Sequence, residues 1–277
     1  MVKAKLISIL LLCSAFVFPL TAQEYDWSLD CMDGSRTGCA ATSENNIEEA
    51  LGRFEKGNYI APNGRKFKRG SATAKVASVV LDAQAEMLRV KKVIAFSDEE
   101  MPTLGKESRL TNWYIDILMG KVAELAQKKV HVGIANYGGV RVDMPEGDVM
   151  LDDILSMFPF RNNLVYLEMK GRDLRAIFDK MASSKFEILG GVSIVVEDGK
   201  IACLLIDGEE LDDEKTYSLA TISFLLHGGD GLNLAENAGN IEVYDVYIKD
   251  AVLEYVNALT LRGEHIRGKD VGRLVIR

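Results

Sequence analysis

The chain has 277 residues, 48% hydrophobic and 27% charged, an ordinary globular composition that excludes a disordered or fibrous polymer. Its net charge of −8 argues against general binding to nucleic acid, whose phosphates need a basic face. That balance still leaves room for a small anion gripped by a few arginines.

The first segment reads as a targeting signal. Lys3 and Lys5 form a basic start, Leu6 to Phe18 an apolar run too short to span a bilayer, and Pro19-Leu20-Thr21-Ala22 a small-residue cleavage site before Gln23. Cys13 follows Leu10-Leu11-Leu12 and lacks the small residues that a lipid-anchored cysteine needs just before it. The mature chain, from residue 23, is therefore expected to be exported, in a periplasmic or extracellular setting, with a net charge of about −10 once both lysines leave. Export permits disulfides, and Cys31 and Cys39 are close enough for a local bridge, which the sequence leaves open. Cys203 sits in the apolar run Ile201 to Ile206 and reads as a buried strand residue.

Residues 23 to 72 form an N-terminal extension and 73 to 277 the main domain. Ile47, Ala50, Leu51 and Phe54 follow helical spacing, with Gly57 as the stop. Ala61-Pro62-Asn63-Gly64 is a turn between Tyr59-Ile60 and Lys66-Phe67. A longer helix follows, with Val76, Val79, Val80, Ala83, Met87 and Val90 on one face, then a strand at Val93 to Phe96 and a second long helix from Trp113 to Ala126. Val130, Val132 and Ile134 alternate as a strand that leads into a glycine-bearing loop at 136 to 141. Asp152 to Met157 is a short helix, Leu164 to Met169 a strand and Arg172 to Ser183 a helix. Val192 to Val196 and Ile201 to Ile206 flank the turn Asp198-Gly199, and Asp207-Gly208 makes another. Thr216 to Ile222 is a strand and Lys249 to Leu259 the last clear helix. Hairpins mixed with helices predict an α/β (α+β) fold with mixed, largely antiparallel sheets, not a doubly wound parallel one.

The chemistry-bearing residues are sparse. His131, His227 and His265 are the only histidines, and none has metal-ligand spacing. His131 alternates with valines and reads as a structural histidine. No nucleophile elbow, phosphate-binding glycine loop or dinucleotide fingerprint occurs. Four other features remain: Arg109 with Asn112 at a helix start, Asn136-Tyr137-Gly138-Gly139-Val140-Arg141 after a strand, Phe158-Pro159-Phe160-Arg161-Asn162 after a short helix, and Phe224 with Gly228-Gly229-Asp230-Gly231. Each alone is more often a plain turn or, for Phe158, a core plug.

Together and in this order they resemble the C-terminal domain of the 5'-nucleotidase family. The family pattern of an Arg-x-x-Asn helix start, Asn-x-Gly-Gly-Ile-Arg, Gly-[Asp/Thr]-[Ile/Val], Pro-Phe-x-Asn and Phe-x-x-x-Gly-Gly-Asp-Gly stands here as Arg109 to Asn112, Asn136 to Arg141, Gly147 to Val149, Pro159 to Asn162 and Phe224 to Gly231. Gly190-Gly191 before Val192 matches a further segment, and the likeness covers about residues 73 to 260. It implies α-β-β-α layers, a nucleobase stacked between Phe160 and Phe224, and ribose hydroxyls on Asp230. It also implies Arg141 and Arg109 toward ribose or phosphate, Asn136 and Asn162 near base or ribose, and Gly190 in the binding segment.

The departures are Tyr137 in place of a small residue, Arg161 in place of a frequent glycine, and Trp113-Tyr114 in place of Leu-Gly. The family's metallophosphatase motifs Asp-x-His, Gly-Asn-His-Asp and Gly-His-x-His have no counterpart in these residues. The resemblance therefore implies a nucleotide-binding component of a 5'-nucleotidase, inactive alone, with no catalytic residue or metal of its own. It would position a nucleotide for two divalent metals on a separately encoded metallophosphatase chain, in nucleotide catabolism. A non-catalytic exported nucleotide- or nucleoside-binding protein is the alternative reading, and a domain kept only as a structural partner a third.

Overall fold

The computed structural model describes residues 42, 45–103, 107–270 and 272–277. The expected signal segment, Cys13 and the Cys31–Cys39 pair lie outside the described residues.

The extension folds differently from its helical reading. Helix α1 (Ile47–Leu51) ends before Gly52, and Phe54 belongs to strand β1 (Arg53–Glu55), which pairs antiparallel with β2 (Asn58–Ile60). Lys56 and Gly57 both have positive φ, the conformation of a tight hairpin turn, so Gly57 turns a hairpin instead of stopping a helix. Phe54 packs on Tyr59, ring centroids 5.6 Å apart, a contact that a continued helix could not make. β3 (Lys66–Lys68) completes the small sheet after the expected turn at 61–64. Helix α2 (Ala72–Met87) forms as expected, but its valine face is not a core face. Val76 and Val79 are 64% and 70% exposed, while Ala74 and Gln84 are the buried positions.

Strand β4 (Val93–Ser97) pairs with β6 (Gly147–Met150), which precedes helix α4 (Leu151–Met157). The centre is a five-stranded sheet in the order β13-β7-β12-β5-β8, made by β5 (Val132–Ala135), β7 (Asn163–Lys170), β8 (Ile188–Gly190), β12 (Thr216–Ile222) and β13 (Asn240–Tyr247). β12 runs parallel to β5, and every other pairing in this sheet is antiparallel. From Tyr217 to Ile222 β12 is buried at every residue, because both faces of a central strand are covered. Helix α3 (Arg109–Ala126) packs across β5, β7, β8 and β12 and against α6 (Ile248–Leu261).

The chain leaves β8 through Gly191 and enters β9 (Val192–Glu197) of a second, four-stranded sheet, order β11-β10-β9-β14. Its other strands are β10 (Lys200–Ile206), β11 (Glu209–Glu210) and β14 (Leu274–Ile276). The Asp-Gly turns at 198–199 and 207–208 have positive φ at both residues, as hairpin turns of that sequence require. Helix α5 (Gly171–Ala182) packs on both β7 and β10 and so ties the two sheets together. Cys203 stands in β10 as a free, half-buried thiol rather than a buried one, because that strand keeps one face toward solvent. His131 is structural: its Nδ1 accepts the Ser218 N–H at 3.1 Å, and burial holds its pKa below the usual histidine range.

Candidate functional site

Strand direction brings the loops together. β12 is parallel to β5, with Ala220 opposite Gly133, so the segments after Ala135 and after Ile222 leave from the same end of the sheet. β7 is antiparallel to β12, with Leu164 opposite Ile222, so the segment before Asn163 arrives at that end too. β8 is antiparallel to β5, with Ile188 opposite Ala135, which adds the residues before Ile188. Residues 136–141, 158–162 and 223–231 therefore crowd one edge, joined by 185–187, which the sequence reading had passed over.

Asn136 ends β5 and is 7% exposed. Its Oδ1 is buried with no donor among the described residues, directly beneath Gly139, where a Cβ would stand only 2.6 Å away. Glycine at 139 is what lets the loop close over this amide. The loop is tied to the next one by the Arg141 N–H, which donates to Met157 O at 3.0 Å. The exposed Arg141 guanidinium carbon lies 6.0 Å from the Phe160 ring centroid, and its other contact is a long bond, 3.3 Å, to Gly138 O.

The two phenylalanines of the middle loop have opposite fates. Phe158 is 1% exposed and packs on Tyr114, ring centroids 5.0 Å apart, as expected of a core plug. Phe160 is 44% exposed, and Phe224 across the edge is 42% exposed. Large aromatic rings left half in water beside buried neighbours are available for stacking. Asn163 N–H donates to Ser223 Oγ at 3.1 Å and so pins the Phe160 loop beside the turn that carries Phe224. Asn162 is half-buried on the same loop. Gly229 lies flat on Phe224, since a Cβ there would fall 2.2 Å from its carbonyl oxygen and 2.8 Å from its ring. Asp230 follows in the left-handed region at φ 47°, a conformation aspartate tolerates, with its side chain exposed. Lys180 of α5 holds this turn through Gly231 O at 2.5 Å.

Two expected site residues make contacts that belong to the scaffold. Arg109 donates to both carboxylate oxygens of Glu99 at 2.9 and 3.0 Å, to Asp270 at 2.8 Å and to Gly268 O at 3.2 Å. Glu99 and Asp270 thereby keep it charged and spend its donors within the fold. Asn112 is likewise occupied by Glu107 and Asp270 O. The Arg-x-x-Asn helix start is thus a knot that secures the C-terminal segment. Gly190 is buried in β8, where a Cβ would meet Met119 Sδ at 2.5 Å and Ile115 at 3.0 Å, so its role is close packing of α3 on the sheet.

Glu187 is the residue the sequence reading missed. It is 4% exposed and accepts the Tyr137 N–H at 2.5 Å. Burial pushes its carboxyl above the usual range, the Tyr137 bond and Lys185 pull it down, and Asp230 pushes it up. The available signal was a lone carboxylate in the otherwise apolar run Phe186 to Val192. Among the described residues no three His, Cys, Asp or Glu side chains converge as a metal site, and no helix is long and apolar enough to cross a membrane. A groove of about 390 Å³ between α3 and α6, lined by Trp113 and Tyr255 among others, shares no residue with these loops.

Comparison with known proteins identifies the family and the fold. The profile of the family described as 5'-nucleotidase, C-terminal domain, matches residues 92–237. The protein UshA of Salmonella pullorum is 33% identical over 132 residues, 45% of this chain and 24% of its own length. A 5'-nucleotidase of Vibrio cholerae is 31% identical over 115 residues, 40% of this chain and 21% of its own. The chain thus aligns with only about a quarter of the length of these relatives. The crystal structure of a 5'-nucleotidase precursor from Thermus thermophilus superposes with a TM-score of 0.64 at 23% identity, covering 73% of this chain and 43% of that one.

Proposed function

Because the chain belongs to the 5'-nucleotidase C-terminal domain family, we propose that it binds a nucleotide at the loop edge of the five-stranded sheet and positions it for hydrolysis of its phosphate ester. The observation that carries this reading is the pair Phe160 and Phe224, half-exposed on neighbouring loops that hydrogen bonds hold in place. Flat aromatic faces stack any base, each worth about 1–3 kcal/mol. Asp230, exposed on its turn, accepts the ribose hydroxyls, and Arg141, with no carboxylate partner among the described residues, grips the phosphate. Asn136 and Asn162 supply amide groups to the base or ribose. Arg109 is left out of this list, because its donors are already engaged.

The chain's part in catalysis is orientation, which converts an encounter into a positioned reactant. The two divalent metals that activate water in such a reaction are, in this reading, held outside these 277 residues by a separately encoded metallophosphatase chain, in an exported pathway of nucleotide catabolism.

The test is calorimetric titration of the purified chain with adenosine, adenine and AMP, alongside phosphate release from AMP with added divalent metal. Adenosine should bind more tightly than adenine, with no phosphate release until a metallophosphatase partner is added. Metal-dependent turnover by the chain alone would refute the division of labour. Binding with no effect on any partner's hydrolysis would favour a nucleoside-capture protein.

A further inference from the structure

We propose that Glu187 is a positioning residue of this site: its carboxylate, anchored on the Tyr137 N–H, holds the 136–141 loop in the shape that meets a nucleoside. The inference rests on the nucleoside-binding reading given above.

The register places it there. Ala135 stands opposite Ile188, so one step further along both chains Asn136 faces Glu187, where β5 and β8 diverge. The Tyr137 N–H belongs to a short turn, Tyr137–Gly139, that no longer offers it a strand partner, and Glu187 Oε2 takes that bond at 2.5 Å. A backbone N–H sealed from water needs an acceptor, and an ionised one makes the stronger, shorter bond.

Tyr137 is fastened at two other points. Its hydroxyl donates to Thr103 O, and the Lys185 ammonium sits 5.2 Å over its ring. The same ammonium is 4.0 Å from the Glu187 carboxylate. The charged groups facing Glu187 are therefore Lys185 from its own strand segment and Asp230 from the turn beyond β12, with the Tyr137 N–H as its hydrogen-bond donor. This geometry couples the loop that carries Asn136 and Arg141 to the turn that carries Asp230. Glu187 thus secures the first loop at the Tyr137 backbone and lies within reach of Lys185, which packs over the same tyrosine ring.

Adenosine tests this, since it has no phosphate for Arg141. Its Kd is measured by calorimetry for the wild type, Glu187→Gln and Glu187→Ala, with melting curves on the same preparations. Glu187→Gln keeps the size and an acceptor for the Tyr137 N–H and should bind within a few-fold of the wild type. Glu187→Ala removes the acceptor and should bind about tenfold more weakly. Wild-type affinity in a folded Glu187→Ala would overturn the inference while leaving the binding site standing. So would an equal loss in both variants, because the acceptor would then not be what matters. No adenosine binding by the wild type would remove the site itself and this inference with it.

Discussion

Truncating three phenylalanines one at a time separates binding from packing within a few residues. Phe158 is 1% exposed against Tyr114, and Phe158→Ala leaves a cavity that costs about 3–5 kcal/mol of stability. In a domain of this size that lowers the melting temperature by roughly 10 °C or more. Phe160 and Phe224 are 44% and 42% exposed, so each forfeits only part of its burial, and about 1 kcal/mol of stability is the expected scale. Their loss should appear in affinity: one stacking face is worth about 1–3 kcal/mol, or roughly one to two orders of magnitude in Kd. Melting curves and adenosine calorimetry on the same preparations read both quantities. The reasoning fails if Phe160→Ala and Phe224→Ala fold normally and bind adenosine as well as the wild type. It fails in the other direction if Phe158→Ala melts like the wild type, because its burial would then carry no packing energy.

Two further expectations follow from the electrostatics. Arg109→Ala should lower the melting temperature slightly, through loss of a two-pronged bond to Glu99 on the partly exposed surface, and should leave adenosine and AMP affinity unchanged. A tenfold loss of AMP affinity with normal melting would return Arg109 to the ligand site. Glu187 has its folded-state pKa raised, so its stabilising contribution is complete below the unfolded value, about 4.3, and is lost as pH rises through the folded one. Glu187→Gln should therefore gain on the wild type in melting temperature between about pH 4.5 and 7.5. A variant that falls behind the wild type over that range would mean that ionised Glu187 is stabilised by its surroundings.

Most of the fold was legible because local signals and burial agreed. The Asp-Gly hairpins, the buried strand β12 and helix α3 all follow from turn chemistry and periodicity. Where they disagreed, tertiary contact decided. Phe54 fits a helical stripe, yet Gly52 and the Lys56-Gly57 turn commit it to a hairpin against Tyr59. The α2 valines make a convincing core stripe, yet the helix buries Ala74 and Gln84, and Gln84 meets Lys91 Nζ at 2.6 Å. β13 escaped notice because its side chains alternate between exposed and half-buried, which gives no apolar run to read. In the candidate site, the glycine loops and the exposed rings of Phe160 and Phe224 follow from order and spacing, since turns and their neighbours leave local marks. The partners of Arg109 do not, because an arginine at a helix start looks the same whether it faces solvent or a carboxylate ten residues back.

Tyr137 and Glu187 are best understood as one feature. A small residue at position 137 would leave this loop held by its backbone alone. Here the larger side chain adds a ring for Lys185 and a hydroxyl for Thr103 O, and Glu187 anchors the backbone beneath it. Each contact constrains the turn directly above Asn136, whose buried Oδ1 has no donor among the described residues. Tyr137 is thus held at its ring, its hydroxyl and its backbone, and Glu187 is the one fastening that acts on the backbone itself, so its removal should loosen the turn more than loss of either side-chain contact.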